Sequence, residues 1–197
     1  MTEPFAALPP SAAWRHRDAR EGFEIVFPRP AGAGGGVLDG HTVAVEDGVA
    51  WVVRYEIRID DRWRTRVVRV ASRSVAGERH VVLESDGEGD WRTDGAPAPG
   101  LTGCLDVDLE SSACTNTLPV HRLVLAVGER AEAPAVYVRA IGLEVERLEQ
   151  VYERVADDTA GRSRYEYHAP ADGFRCQLVY DEAGLIFDYP GLATRSS

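Results

Sequence analysis

The sequence contains no lysine, so all 22 of its basic side chains are arginines. It has only three cysteines, an odd number without the spacing of a metal site, which favours free thiols over a disulfide framework. It also lacks any apolar run close to the roughly 20 residues that a transmembrane helix requires. These absences predict a protein without a disulfide scaffold and without a membrane-spanning helix.

The amino-terminal stretch MTEPFAALPPSAAW has neither the positive charge nor the apolar core of a secretory signal, which predicts a cytoplasmic protein. The formal net charge of −10 argues against a nucleic-acid partner, because phosphate contacts require clustered positive charge. The five histidines are scattered, and no phosphate-binding or dinucleotide-binding glycine motif is present. We therefore expect neither a metal nor a cofactor.

The chain is 197 residues long, which predicts one domain. Residues 1–13 are rich in proline and alanine and are expected to form a poorly ordered lead-in to a single domain at 14–197. Beyond them, short alternating segments are separated by glycine and aspartate turns, and the clearest, at 49–60, places Trp51, Val53 and Tyr55 on one face. This pattern predicts an all-β fold, an antiparallel sheet curled into a β-roll or a partly open barrel.

Residues 143–154 fit two structures. Val145, Leu148 and Tyr152 have helical spacing, and the glutamates and arginines between them favour a helix. The start of the segment alternates instead, as its neighbours do. We predict a strand there.

Residues 101–123, LTGCLDVDLESSACTNTLPVHRL, are predicted to form a hairpin of two strands around a polar turn at 115–119. In the first arm Asp106 and Asp108 share a face, about 7 Å apart at a rise of about 3.3 Å per residue. Arg122 lies on the second arm. Two carboxylates could orient the hydroxyls of a sugar, hold a divalent cation or divide into acid and base. Alternatively, they form cross-strand ion pairs with arginine.

Other side chains extend this candidate site. Arg64 and Arg66 share a strand face and could bind an anionic head group, or could form a solvated face. Asn116 could offer its amide to a ligand or bond its own backbone in the turn. Trp63 and Tyr189 could stack on a sugar or line an apolar groove, although packing in the core is the commoner role of such residues.

Four segments resemble one known family: GCLDVDL and TNTLP in the predicted hairpin, DDRWRTRVVRV at 60–70 and DEAGLIFDYPGLATR at 181–195. They resemble the bacterial family named Putative glycolipid-binding, over nearly the whole chain. The resemblance implies a curled antiparallel sheet with an apolar groove, similar to the periplasmic lipoprotein carriers. It implies as partner an amphipathic small molecule such as a glycolipid.

From these observations we expect a non-enzymatic binding module. Apolar residues would line a groove of the curled sheet, and the polar head group of the ligand would meet the candidate residues. One alternative is an enzyme of the lyase, isomerase or hydrolase type with an aspartate as acid or base. Another is a structural or interaction domain. The environment of the aspartates distinguishes these: a closed ion pair favours a structural role, whereas a carboxylate facing a cavity favours ligand binding or catalysis. The oligomeric state is left open by the sequence.

Overall fold

The structure, a computed structural model, describes residues 5–196 apart from the side chains of Ala33 and Asp172. Within this part the chain is almost entirely β-structure, as predicted. One short α-helix is present, α1 at Thr117–Leu123. The strands are β1 Ala12–His16, β2 Glu21–Pro30, β3 Gly36–Glu46, β4 Val49–Ile59, β5 Thr65–Ser74, β6 Gly77–Ser85, β7 Trp91–Thr93, β8 Ala96–Pro97, β9 Asp106–Leu109, β10 Arg130–Glu132, β11 Ala135–Val138, β12 Val145–Leu148, β13 Val151–Val155, β14 Ser163–Ala169, β15 Phe174–Tyr180, β16 Ile186–Tyr189 and β17 Ala193–Ser196.

Fourteen of these strands form one antiparallel sheet that does not close on itself. Its order is β10-β13-β14-β15-β16-β17-β1-β2-β3-β4-β5-β6-β7-β8. The two ends of the chain meet at its centre, where β1 pairs with β17 and Trp14 lies opposite Arg195. The prediction of a curled, partly open antiparallel sheet is confirmed.

The alternation along β4 forms the core as expected. Trp51, Val53 and Tyr55 are at most 4% exposed, whereas Arg54 between them is exposed. Successive side chains of a strand point to opposite faces, so one face of β4 packs inward and the other meets solvent.

The ambiguous segment at 143–154 is extended, which confirms the strand prediction. It forms two strands and not one, because β12 and β13 belong to different sheets. β12 pairs with β11, and β11 pairs in parallel with β9, giving a small second sheet. This sheet carries Asp106 and Asp108.

The hairpin predicted at 101–123 is wrong. After β9 the chain makes a 3₁₀ turn at Cys114–Asn116 and continues directly into α1. Pro119 lies in the first turn of α1, where its missing N–H would have no partner in any case, so it does not break the helix. The apolar residues that alternate after Pro119 therefore do not form the predicted second strand.

Residues 104–120 lie inside the curl of the large sheet and are bonded to it at many points. The Trp91 indole donates to the Cys104 carbonyl at 2.8 Å. The Thr42 hydroxyl donates to the Ser111 carbonyl, also at 2.8 Å. All ten residues from 111 to 120 are buried. The space that the sequence interpretation assigned to a ligand groove is thus largely filled by the chain itself, and cavities remain near the two ends of β3.

Part of the predicted lead-in, residues 1–4, lies outside the described residues. In the rest, Ala6 donates its N–H to the Glu182 carbonyl at 2.9 Å, and Ala12 and Ala13 already belong to β1. The three cysteines are free thiols, as predicted. Within residues 5–196, no helix combines the length and apolar character needed to cross a bilayer.

Candidate functional site

Asp106 and Arg122 form a closed, bidentate ion pair. Arg122 Nη2 donates to Asp106 Oδ2 at 2.6 Å, and Nε donates to Oδ1 at 3.1 Å. The two side chains are 1% and 13% exposed. Burial raises the pKa of the Asp106 carboxyl, and the hydrogen bonds and charge of Arg122 act in the opposite direction. Both oxygens of Asp106 are occupied, which is the environment that a structural role requires.

Asp108, two residues along the same strand, has no arginine partner. Its Oδ1 accepts a hydrogen bond from the Thr115 hydroxyl at 2.9 Å, and its Oδ2 accepts one from Gln150 Nε2 at 2.5 Å. Burial raises the pKa of the Asp108 carboxyl to about 6, and the charges of Asp106 and Glu110 add to this effect. Because these donors are neutral, the negative charge of the ionised carboxylate is not balanced by a cation and can attract a positively charged or hydrogen-bonding group of a ligand.

Asp108 lies in the wall of a cavity of about 260 Å³. Asn116 and Tyr189, two further residues of the predicted site, line the same cavity. The structure therefore brings together three of the eight predicted site residues around one space. Much of the remaining wall is aromatic or aliphatic, contributed by Leu109, Tyr137, Leu148, Tyr167, Phe174 and Leu192.

Neighbouring tyrosines hold Asn116 in a defined orientation. The Tyr152 hydroxyl donates to Asn116 Oδ1, and the Tyr180 hydroxyl donates to the Asn116 carbonyl, both at 3.1 Å. With Oδ1 engaged, the amide Nδ2 forms no hydrogen bond within the described part of the chain, although Asn116 is only 3% exposed. An oriented amide donor in a cavity wall can donate to an acceptor oxygen of a ligand.

Arg20 is a cavity residue that the sequence interpretation missed. It is 7% exposed, its guanidinium lies 5.3 Å from the centre of the Trp51 ring, and its Nη2 donates to the Glu110 carbonyl at 2.7 Å. It also lies 3.9 Å from Glu46. No local pattern indicated this, because Arg20 belongs to the turn between β1 and β2 and reaches the cavity only in the fold.

Glu24 is a second missed carboxylate, fully buried behind the cavity wall. It accepts hydrogen bonds from the Tyr55 hydroxyl at 2.6 Å, from the Ser112 hydroxyl and from the Ala113 N–H. Burial raises its pKa, and these hydrogen bonds oppose the rise. Gly40 makes room for Tyr55, since a Cβ there would lie 2.0 Å from the ring. Glu24 thus ties the chain at 112–113 to β2. The sequence pattern could not have found it, because Phe23, Ile25 and Phe27 form the apolar face of β2 and yet are 38–51% exposed, while Glu24 on the other face points inward.

Trp63 is remote from this cavity. It stacks on His121 with ring centroids 3.7 Å apart and has a φ of +63°, an unfavourable backbone conformation for a bulky residue. It lines a different cavity of about 290 Å³ near Gly36, the first residue of β3. The Asp108 cavity contains Glu46, the last residue of β3, so the two cavities lie on the order of 30 Å apart along the strand.

Arg64 and Arg66 also lie away from the aspartates. Arg64 donates to the Gly87 carbonyl at 2.8 Å and pairs with Glu88. Arg66 pairs with Asp60 at 3.6 Å and is 43% exposed. The predicted site residues therefore divide into three sets: the Asp108 cavity, the Asp106–Arg122 pair, and the group at the turn between β4 and β5.

The geometry does not support the alternative that the two aspartates hold a divalent cation. Within residues 5–196, no three His, Cys, Asp or Glu side chains come together as metal ligands would. Arg122 occupies the Asp106 carboxylate, which leaves Asp108 as the chemically available group.

Two solved structures resemble the chain over nearly its full length. A DUF1089 family protein from Pseudomonas aeruginosa is 31% identical, with a TM-score of 0.74, over 98% of this chain and 97% of that one. A beta-barrel-like protein of a domain of unknown function, DUF1849, from Brucella abortus is 10% identical, with a TM-score of 0.56, over 97% and 95%; this likeness concerns the fold alone.

No curated protein matches the chain significantly. Residues 11–195 match the family described as Putative glycolipid-binding, as the sequence motifs suggested. The chain belongs to that family.

Proposed function

We propose that this protein binds an amphipathic small molecule without transforming it, and that the cavity at Asp108 receives the polar head group. The observation that carries this proposal is the combination of Asp108, without a cationic partner, and the unpaired amide donor of Asn116 in one partly apolar wall. Ligand sites are commonly built in this way, with mostly apolar walls and a few placed polar groups.

The size of the cavity limits what enters it. At about 260 Å³ it is slightly smaller than the ~300–1,000 Å³ of typical small-molecule sites. It therefore suits one ring-sized group better than a whole lipid. The name of the family, glycolipid binding, agrees with a sugar ring as that group. Sugar hydroxyls would donate to Asp108 and accept from Asn116, and Tyr189 and Phe174 would offer aromatic surface to the ring.

A cavity-blocking experiment tests the location. Leu192 lines the Asp108 cavity and Leu8 lines the Trp63 cavity, and both are partly exposed, so that Leu192→Trp and Leu8→Trp are matched variants. Each protein would be purified from its native host and analysed by native mass spectrometry for a co-purifying small molecule. We expect the bound mass in the wild type and in Leu8→Trp, and its loss in Leu192→Trp.

Two outcomes would contradict the proposal. Loss of the ligand in Leu8→Trp alone would place the site at Trp63, and retention in both variants would exclude both cavities. Circular dichroism and thermal melts of the two variants show that any loss is not caused by unfolding.

A second candidate function is acid–base catalysis by Asp108. It is favoured by the pKa of about 6, which lies near physiological pH, as an acid or base requires. An enzyme predicts that Asp108→Asn abolishes turnover of the native ligand while binding is retained. If the protein only binds its ligand, the ligand should be chemically unchanged after prolonged incubation with the wild type, which mass spectrometry also measures.

A further inference from the structure

The charges around the Asp108 cavity are unevenly balanced. Glu110 accepts hydrogen bonds from Arg139 at 3.2 Å and from the Ala140 N–H at 2.7 Å. Glu46 lies 3.9 Å from Arg20. Each of these two carboxylates at the cavity therefore has an arginine near it.

Asp108 differs from both. Its hydrogen-bond donors, Thr115 and Gln150, are neutral, and it is 7% exposed. Arg122, the arginine nearest to Asp108 in the sequence, instead bonds Asp106 through Nε and Nη2. A buried carboxylate with neutral donors is stabilised further by any positive charge that enters its surroundings.

We propose that the head group bound at Asp108 carries a positive charge, as an amino-substituted sugar ring does, with Asp108 as its counter-ion. The inference rests on the proposed function of the cavity as a head-group site and specifies the class of head group. The uncompensated charge of Asp108 disfavours phosphate, sulfate and carboxylate groups in contact with it, whereas Arg20, in the same cavity wall, keeps Nε and Nη1 without a hydrogen-bond partner in the described part of the chain and would suit the hydroxyls of the ring. Asn116 Nδ2, oriented by the hydrogen bond from Tyr152 to Oδ1, would donate to a hydroxyl oxygen of the ring.

The Asp108 charge depends on pH in the range where binding can be measured. Its carboxyl loses its charge as the pH falls through about 6, so the attraction for a cation is present above that pH and fades below it. The titratable and charged groups around it are Asp106 and Glu110 on its own strand segment, Tyr137 on β11, Tyr167 on β14, Tyr189 on β16, and Arg20 and Glu46 across the cavity.

Three sugars that share the glucose ring but differ in charge at carbon 6 test the inference. They are 6-amino-6-deoxyglucose, glucose and glucose 6-phosphate. Their dissociation constants would be measured by ligand-observed NMR at pH 7.5. We expect the amino sugar to bind about tenfold more tightly than glucose, the usual difference between a charge-assisted and a neutral hydrogen bond. Glucose should bind more tightly than its phosphate.

Asp108→Asn should reduce the advantage of the amino sugar over glucose to twofold or less. Asp188→Asn is the matched control, because Asp188 precedes Tyr189 in β16 but pairs with Arg17 outside the cavity. That control should keep the tenfold advantage. Persistence of the advantage in Asp108→Asn would overturn the assignment of Asp108 as counter-ion.

A pH series on the wild type keeps the inference testable even if Asp108→Asn does not fold. The amino sugar stays protonated from pH 7.5 to 5, as a lysine amine does. Its affinity should fall about tenfold over this range while that of glucose stays constant, and a pH-independent affinity of the amino sugar would contradict the inference. Binding of glucose or its phosphate as tightly as the amino sugar would refute the charge class alone, whereas no binding of any of the three sugars would refute the sugar-ring site itself.

Discussion

The two aspartates of β9 are two residues apart on one strand, and yet they occupy different environments. Asp106 meets a guanidinium that takes both of its oxygens. Asp108 meets a hydroxyl and an amide, and beyond them a cavity. Their burial is similar, at 1% and 7% exposed. The difference shows that neither burial nor position in a strand decides what a carboxylate does; its partners decide.

The partners differ because they come from different parts of the chain. α1 turns back over β9 and brings Arg122 to Asp106. Gln150, between β12 and β13, supplies a donor to Asp108. The ion pair therefore closes the helix side of the strand, and the side near Tyr189 stays open to a ligand.

Removing the arginine should give the largest effect. Arg122→Ala leaves Asp106 buried without its counter-charge, and breaking a buried pair in this way costs roughly 3–5 kcal/mol of unfolding free energy. Arg58→Ala is the control, because that side chain is 55% exposed and surface pairs contribute about 0–1 kcal/mol. Urea denaturation measures both; equal midpoints would show that the Asp106 pair is not a stabilising contact.

The second prediction concerns pH. The pKa of Asp108 is about 6 in the folded protein and about 3.9 in an unfolded chain, so folding favours its protonated form. Its contribution to stability is therefore fully present below pH ~4 and is lost as the pH rises through 6. Relative to wild type, Asp108→Asn should gain stability between pH 4 and 7.5, by up to about 3 kcal/mol at about 1.4 kcal/mol per pKa unit. Urea melts across this range measure the difference between the two proteins; a difference that does not vary with pH would contradict the shifted pKa.

A smaller difference in stability is expected between the phenylalanine variants of two tyrosines near the cavity, Tyr180 and Tyr189. The Tyr180 hydroxyl donates to the buried Asn116 carbonyl, and Tyr180→Phe removes that hydrogen bond at a cost of about 0.5–1.5 kcal/mol. The Tyr189 hydroxyl forms no hydrogen bond within the described residues, so Tyr189→Phe should change stability by less than about 0.5 kcal/mol. Thermal melts compare the two variants. Equal losses would mean that the Tyr189 hydroxyl has a structural partner and is not reserved for a ligand.

The smallest effect is expected at Arg66. Its guanidinium is 43% exposed and 3.6 Å from Asp60, an exposed pair that contributes about 0–1 kcal/mol. Arg66→Gln should also leave sugar affinity at the Asp108 cavity unchanged, because Arg66 belongs to the other end of the sheet. A change in that affinity, measured by the same NMR titration, would show that the two ends of the sheet are coupled.

Sequence reasoning recovered the antiparallel sheet and three residues of the cavity, and its errors have one physical origin. Leu123, Leu125 and Val127 alternate after Pro119 as a strand would, but Pro119 is compatible with a first helical turn, and packing inside the sheet selected the helix. Grouping Trp63 with Tyr189 failed for a related reason, since a pattern of residue types contains no distance between segments. Arg20 carried no signal at all, because its burial depends on Trp51 and Glu110.

Local pattern was enough to predict the strands and the inward face of β4, because alternation in an extended chain is a local property: each side chain of β4 points opposite to its neighbour whatever surrounds it. It was not enough for β2, whose apolar face is exposed and whose Glu24 is buried. Local pattern also placed Asp106 and Asp108 on one face. Two contacts could be known only from the folded chain: Arg122, 16 residues from Asp106, neutralises one carboxylate, and Gln150, 42 residues from Asp108, holds the other beside a cavity. Contacts of that kind depend on how separate segments pack, and the free energy that selects them belongs to the assembled core and not to any one stretch of the chain.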